Sequence, residues 1–116
     1  MPNPITWWEI AVKDGAKAAE FYSKLFGWKV KEPGPMNYRE IDTGGEGING
    51  GIFQPEGDVP NYVTIYVQVN DLKACLDKVQ SLGGRLLVPP TPLPGTGAFA
   101  MFIDPEGNAI GLFTKK

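Results

Sequence analysis

Apolar and polar residues alternate along Ile5-Thr6-Trp7-Trp8-Glu9-Ile10-Ala11-Val12, the period of a strand. One face carries Trp8, Ile10 and Val12 and reads as core; the other carries Trp7, Glu9 and Ala11. That second face sets a large aromatic beside a carboxylate, which resists burial, so it reads as one wall of a ligand cleft. The period then changes. Asp14 is placed to cap a helix over 15–26, where Ala18, Phe21, Tyr22, Leu25 and Phe26 recur at helical spacing and are expected to face the sheet, with Gly27 as the stop. Strands follow at about 28–31, 38–42 and 51–54. The order then begins again: a strand at 62–69, a helix capped by Asp71 with Leu72, Cys75, Leu76, Val79 and Leu82 on its apolar face, a stop at Gly83-Gly84, and strands at 85–88, 98–103 and 109–114. The segment Pro-Pro-Thr-Pro-Leu-Pro-Gly-Thr-Gly, 89–97, is too rich in proline for a central strand. It reads as a loop, at the cleft mouth or as a plain connection.

The chain is therefore βαβββ twice. A shift of 57 residues superposes Val12 on Val69, Asp14 on Asp71, Ala18 on Cys75, Leu25 on Leu82, Gly27 on Gly84, Gly50 on Gly107 and Phe53 on Ile110. The expected fold class is α+β: a single domain over 1–116 made of two modules, about 1–57 and 58–116, whose half-sheets join into one curved mixed sheet with helices on its convex face.

Composition narrows the chemistry. The 116 residues carry 11 basic and 13 acidic side chains, a net charge of −2, which gives no field to attract nucleic acid or an anionic membrane. No stretch approaches the roughly 20 apolar residues of a membrane helix, and the first residues do not read as a signal peptide. The single cysteine, Cys75, excludes an internal disulfide and fits a reducing cytoplasm, with a packing role more in keeping with its neighbours than a reactive one. There is no histidine. That removes the commonest transition-metal ligand and the usual acid/base near neutral pH, and it excludes Ser-His-Asp and Cys-His machinery.

The stretch Trp-Trp-Glu-Ile-Ala-Val-Lys-Asp through Phe21-Tyr-Ser-Lys-Leu-Phe-Gly-Trp28, and the turn Asp104-Pro-Glu-Gly-Asn108, carry a resemblance. The chain resembles the vicinal oxygen chelate superfamily, the glyoxalase, bleomycin-resistance and extradiol dioxygenase group, over nearly its whole length. The resemblance implies paired βαβββ modules. In metal-dependent members it also implies a divalent ion held by four side chains, usually His and Glu, one near the start of the first strand and one in the last strand of each repeat. Here those positions fall on Trp7 and Thr64, and on Gln54 and Gly111. Such a set lacks the charge and ligand number of a firm site, so no metal and no other cofactor is expected. Trp7 would fill the metal's space. Glu9 would share its wall, Thr64, Tyr66 and Gln68 would form the matching wall, and Phe99 and Met101 would join them.

Three functions remain open. The first is metal-free binding of a small aromatic or cationic molecule in the concave cleft, with Trp7 and Tyr66 stacking on it and Glu9 as countercharge. The second is a metal-independent lyase or isomerase with Glu9 as general base and Tyr62, Tyr66 or Gln54 donating to the oxyanion. The third is a dimeric interaction module with no small ligand; a symmetric homodimer is the expected assembly. Against these stand plainer expectations, Trp7 as a plug and Glu9 at a wet rim or paired with Arg39 or a lysine. Two motif matches carry no chemistry. Gly45-Glu-Gly-Ile-Asn-Gly50 fits GxGxxG but precedes a strand, where a dinucleotide site needs a helix. The turn 104–108 lacks the periodic acids of a calcium loop and reads as a hairpin.

Overall fold

The computed structural model describes residues 2–116, and its elements follow the predicted order closely. They fall into two compact units, one of residues 7–64 and the other of residues 2–6 with 65–116. The chain passes from one unit to the other inside its first and fifth strands. The class is α+β; among the described residues there are eight strands in mixed parallel and antiparallel pairing, two α-helices and one 3-10 turn at Pro35–Asn37.

In the unit of residues 7–64 the strand order is β2 (Lys29–Val30), β3 (Tyr38–Asp42), β4 (Gly50–Phe53), β1 (Ile5–Ala11). β1 runs parallel to β4, with Glu9 opposite Gly51 and Ala11 opposite Phe53. α1 (Gly15–Phe26) starts at Asp14, whose carboxylate accepts from the Lys17 backbone N–H at 3.0 Å, and ends at Gly27 in the left-handed conformation. Its apolar face does not pack as expected. Phe21, Leu25 and Phe26 are each more than half exposed, and only Gly15 of the helix is buried. The helix rests on β4 and β2, strands of four and two residues, which offer too little surface for a helix of 12. Its aromatics instead form a ladder with the outer face of β1: Tyr22 stacks on Trp28 at 5.7 Å, and Trp28 meets Phe26 at 4.9 Å and Trp8 at 5.2 Å.

The other unit has the order β5 (Tyr62–Gln68), β8 (Ala109–Lys115), β7 (Gly97–Ile103), β6 (Arg85–Leu93). Here α2 (Leu72–Ser81), capped by Asp71 through the Ala74 N–H at 3.0 Å, covers strands of seven to nine residues and builds a true core. Val69, Leu72, Leu76, Ala100 and Leu112 are buried together, with Cys75 packed against them. Burial pushes the Cys75 thiol up from its ordinary value, in keeping with a packing role. Leu82, expected on this face, sits at the helix end and is exposed.

The proline-rich segment is corrected by the structure. β6 runs through Pro89, Pro90 and Pro92 to Leu93, pairing Thr91 with Phe99 and Pro92 with Ala98. Being last in its unit's strand order, β6 pairs only with β7, and the register shifts twice between Leu86 and Thr91. An edge strand with bulges tolerates residues that lack an N–H donor, whereas a central strand needs that donor for its second neighbour. The two dismissed motifs behave as expected: residues 45–49 lead into β4, and 104–108 form the β7–β8 hairpin, with Asp104 accepting from the N–H groups of Glu106 and Asn108 at 2.9 Å each.

Candidate functional site

Glu9 is the centre of the unit of residues 7–64. It lies in the middle of β1, and only 3% of it is exposed. A carboxylate this buried requires hydrogen-bond donors. Tyr62, the first residue of β5, donates its hydroxyl to Glu9 Oε2 at 2.6 Å, the short distance of a charge-assisted bond. Tyr38, the first residue of β3, also hydrogen-bonds Glu9 through its hydroxyl, and that hydroxyl accepts from Trp7 Nε1 at 2.7 Å. The arrangement is continuous: indole to phenol to carboxylate, with a second phenol from the other side. Burial, and next the charge of Glu9, push both tyrosines well above the ordinary value of 10. Both therefore stay protonated and remain donors at neutral pH.

The local sequence explains how Tyr38 reaches Glu9. Gly51, opposite Glu9 on β4, has no side chain, and the Tyr38 ring lies across the space a Cβ would fill. Phe53 pairs with Tyr38 across β3–β4, and their rings are 5.7 Å apart. Glycine in a strand interior marks such close approaches. The face expected to be an open wall is thus the more buried side of β1: Glu9 and Ala11 are buried, whereas Trp8, Ile10 and Val12, expected as core, are half-buried. Glu9 at a wet rim is excluded. Arg39, suggested as its partner, donates to Asn37 Oδ1 at 3.2 Å.

The other predicted residues divide between the units. Thr64 is buried near the end of the first unit's share of β5. Tyr66, Phe99 and Met101 belong to the second unit and share one face. Tyr66 is buried with its ring across Gly111, Met101 is the β7 partner of Gly111, and the Phe99 ring lies edge-on to Tyr66 at 6.4 Å. Gln68 is half-buried opposite Phe113, and its backbone N–H donates to the Pro4 carbonyl at 2.8 Å. Gln54 is engaged elsewhere: its Oε1 accepts from the Gly15 N–H at 2.8 Å, closing the start of α1.

Strand register also revises the internal repeat. Ala11 pairs with Phe53, and Gln68, 57 residues after Ala11, pairs with Phe113, 60 residues after Phe53. The shift of 57 holds for the first strands and fails for the last, because paired residues of the first and last strands lie 42 apart in the first repeat (Ala11 and Phe53) and 45 apart in the second (Gln68 and Phe113). The counterpart of Gly111 is therefore Gly51 rather than Gln54, and Gly107 has no match at Gly50.

The four positions at which the resemblance places metal ligands are then Trp7, Thr64, Gly51 and Gly111. They do not fit a metal ion. Trp7 offers an indole N–H that is already donated to Tyr38, and both glycines are covered by a tyrosine ring where a ligating side chain would stand. Among the described residues no three His, Cys, Asp or Glu side chains come together as ligands. Tyr38 and Phe53 were missed as site residues from the sequence. The signal that points to Tyr38 is Gly51, whose missing side chain calls for a neighbour's ring.

The sequence profile described as the Glyoxalase/Bleomycin resistance protein/Dioxygenase superfamily matches residues 4–112, and the chain belongs to that superfamily. It is 29% identical over 98% of its length to the anthracycline biosynthesis protein DauV of Streptomyces sp. (strain C5), spanning 48% of that protein. It is 34% identical over 92% of its length to a glyoxylase-like domain-containing protein of Didymella fabae, spanning 90% of it. Among solved structures, methylmalonyl-CoA epimerase from Mycobacterium tuberculosis superposes with a TM-score of 0.72 at 18% identity, covering 97% of this chain and 87% of that one, a likeness of fold alone. The chain spans about half the length of the first curated relatives it matches. No helix among the described residues is long and apolar enough to cross a membrane.

Proposed function

We propose that the chain binds a small aromatic or cationic molecule without a metal, against the face built by Trp7, Glu9, Tyr38 and Tyr62. The observation that carries this reading is the buried Glu9 carboxylate, walled by aromatic rings and held by Tyr62 at 2.6 Å. A negative centre among ring faces attracts a cation and stacks a planar ligand, each aromatic contact contributing about 0.5–2 kcal/mol. The relative named for anthracycline biosynthesis supports an aromatic ligand, since anthracyclines are fused-ring aromatics. Binding is favoured over proton abstraction by Glu9 because Tyr62 occupies an acceptor site that a base would need. The chain works as a symmetric homodimer in the cytoplasm on this reading.

The test is a screen of planar aromatic and quaternary ammonium compounds by thermal shift, repeated on Glu9→Gln. A hit raises Tm in the wild type and loses most of that gain in the variant. No hit across a broad set of such compounds, or hits indifferent to Glu9, would refute the reading. Turnover of a bound compound that Glu9→Gln abolishes would favour the metal-independent lyase or isomerase instead.

A further inference from the structure

A second cleft lies within the unit of residues 7–64, apart from the Glu9 network. It has a volume of about 520 Å³, inside the range of small-ligand sites. Its apolar lining is Val12, Met36, Pro55 and Val59; its polar lining is Lys13, Asn37, Gln54 and Glu56. What sets this cleft apart is how its amides are used. Gln54 gives its Oε1 to the Gly15 N–H at 2.8 Å, and Asn37 gives its Oδ1 to Arg39 at 3.2 Å. Only an amide oxygen can accept, so both contacts use the oxygen, and neither NH2 group has a hydrogen-bond partner among the described residues. Lys13 donates one N–H to the Val59 carbonyl and retains two more. The polar lining thus offers the Lys13 ammonium and two unpaired amide NH2 groups as donors, with Glu56 as its one acid.

The backbone of the wall is a second, independent observation. Met36 and Asn37 are the only non-glycine residues with positive φ among the described residues, at 63° and 54°, and they are adjacent. A left-handed conformation is costly for a residue with a Cβ, and such strain gathers at ligand sites. Here it presents Met36, 59% exposed, as an adaptable thioether beside the amide of Asn37.

The geometry points to a binding site for a small carboxylate with a short apolar tail, its head on Lys13, Gln54 and Asn37 and its tail on Met36, Val12 and Val59. The proposal stands apart from the reading of the Glu9 face, and its test separates the two. Sodium hexanoate is titrated into the 15N-labelled protein, with hexylammonium chloride and hexanol as comparison probes. Hexanoate shifts the amides of Val12, Lys13, Asn37 and Gln54 saturably and leaves the Trp7 indole N–H in place, while the amine and alcohol leave all of these unmoved. Lys13→Met weakens hexanoate by about tenfold, the loss of one charge-assisted contact, and Glu56→Gln strengthens it. The spectrum of Lys13→Met confirms that the variant is folded, and Glu56→Gln tests the same site without touching the Lys13–Val59 bond. Absence of saturable shifts at these amides, equal shifts with hexylammonium, or hexanoate affinity unchanged in both variants overturns the assignment. Shifts at Trp7 instead would place the carboxylate on the Glu9 face.

Discussion

Tyr62→Phe deletes one oxygen and leaves the ring, so it isolates the bond to Glu9. In the wild type this bond joins a phenol to a carboxylate that is 3% exposed, at 2.6 Å. In water the carboxylate would recover a donor at once. At this burial it cannot, so the variant loses both the bond and part of the carboxylate's solvation. Hydrogen bonds to charged groups are worth about 1.5–3 kcal/mol, so a loss of about 2 kcal/mol is expected. For a chain of 116 residues that corresponds to a fall in Tm of roughly 6–10 °C. The assay is urea and thermal denaturation at neutral pH followed by circular dichroism, on wild type, Tyr62→Phe, Glu9→Gln and the double variant. Because the two groups act as one unit, the double variant should cost less than the sum, with a coupling of about 1 kcal/mol or more. Additive single effects, or a loss under about 0.5 kcal/mol for Tyr62→Phe, would falsify the claim that this hydrogen bond holds the carboxylate in place.

Other consequences are as direct. Tyr38 and Tyr62 have values raised above the ordinary 10 by burial and by Glu9, so their contribution to stability is full below about pH 10 and is lost as pH rises beyond it, because the unfolded chain gives up those protons first. Absorbance at 295 nm should show at least two of the four tyrosines ionising only with unfolding; all four titrating together near 10 in the folded protein would contradict this. Gly51→Ala places a methyl group against the Tyr38 ring and should destabilise by about 1–3 kcal/mol, while also quenching or shifting Trp7 fluorescence as its bond to Tyr38 is disturbed. Asp104 is held below the ordinary carboxylate range by hydrogen bonds from Asn108, so its contribution is present above that range and lost as pH falls through it. Asp104→Ala should therefore lose stability at neutral pH and differ less from wild type in acid, as read by denaturation at both; an equal deficit at both would show that the hairpin bonds are not its cause.

Most of the scaffold was readable from local signals. Asp14 and Asp71 announced both helix starts, Gly27 one helix end, and strict alternation gave β1 and β5 to within a residue. What failed was non-local. Whether α1 could bury Phe21, Leu25 and Phe26 depended on the length of the strands beneath it, two and four residues, which its own periodicity does not encode. The strand through Pro89–Pro92 depended on being at an edge. In the site, Trp7, Glu9 and Tyr62 were singled out from residue type and facing, and the structure joins Glu9 to Tyr62 directly and Trp7 through Tyr38. Tyr38 escaped notice because its role arises from the glycine across from it on β4. The uniform shift of 57 also hid an insertion that only strand pairing exposes.

The two phenol rings lying over Gly51 and Gly111 make this state hard to leave by single steps. A glutamate placed at either position would drive its chain into an occupied space, and trimming the tyrosine first would open a void in the buried face. Each half therefore needs a paired exchange, with a weakened intermediate on either route. The rings that fill each buried face thus also shut a longer side chain out of the glycine position beneath them.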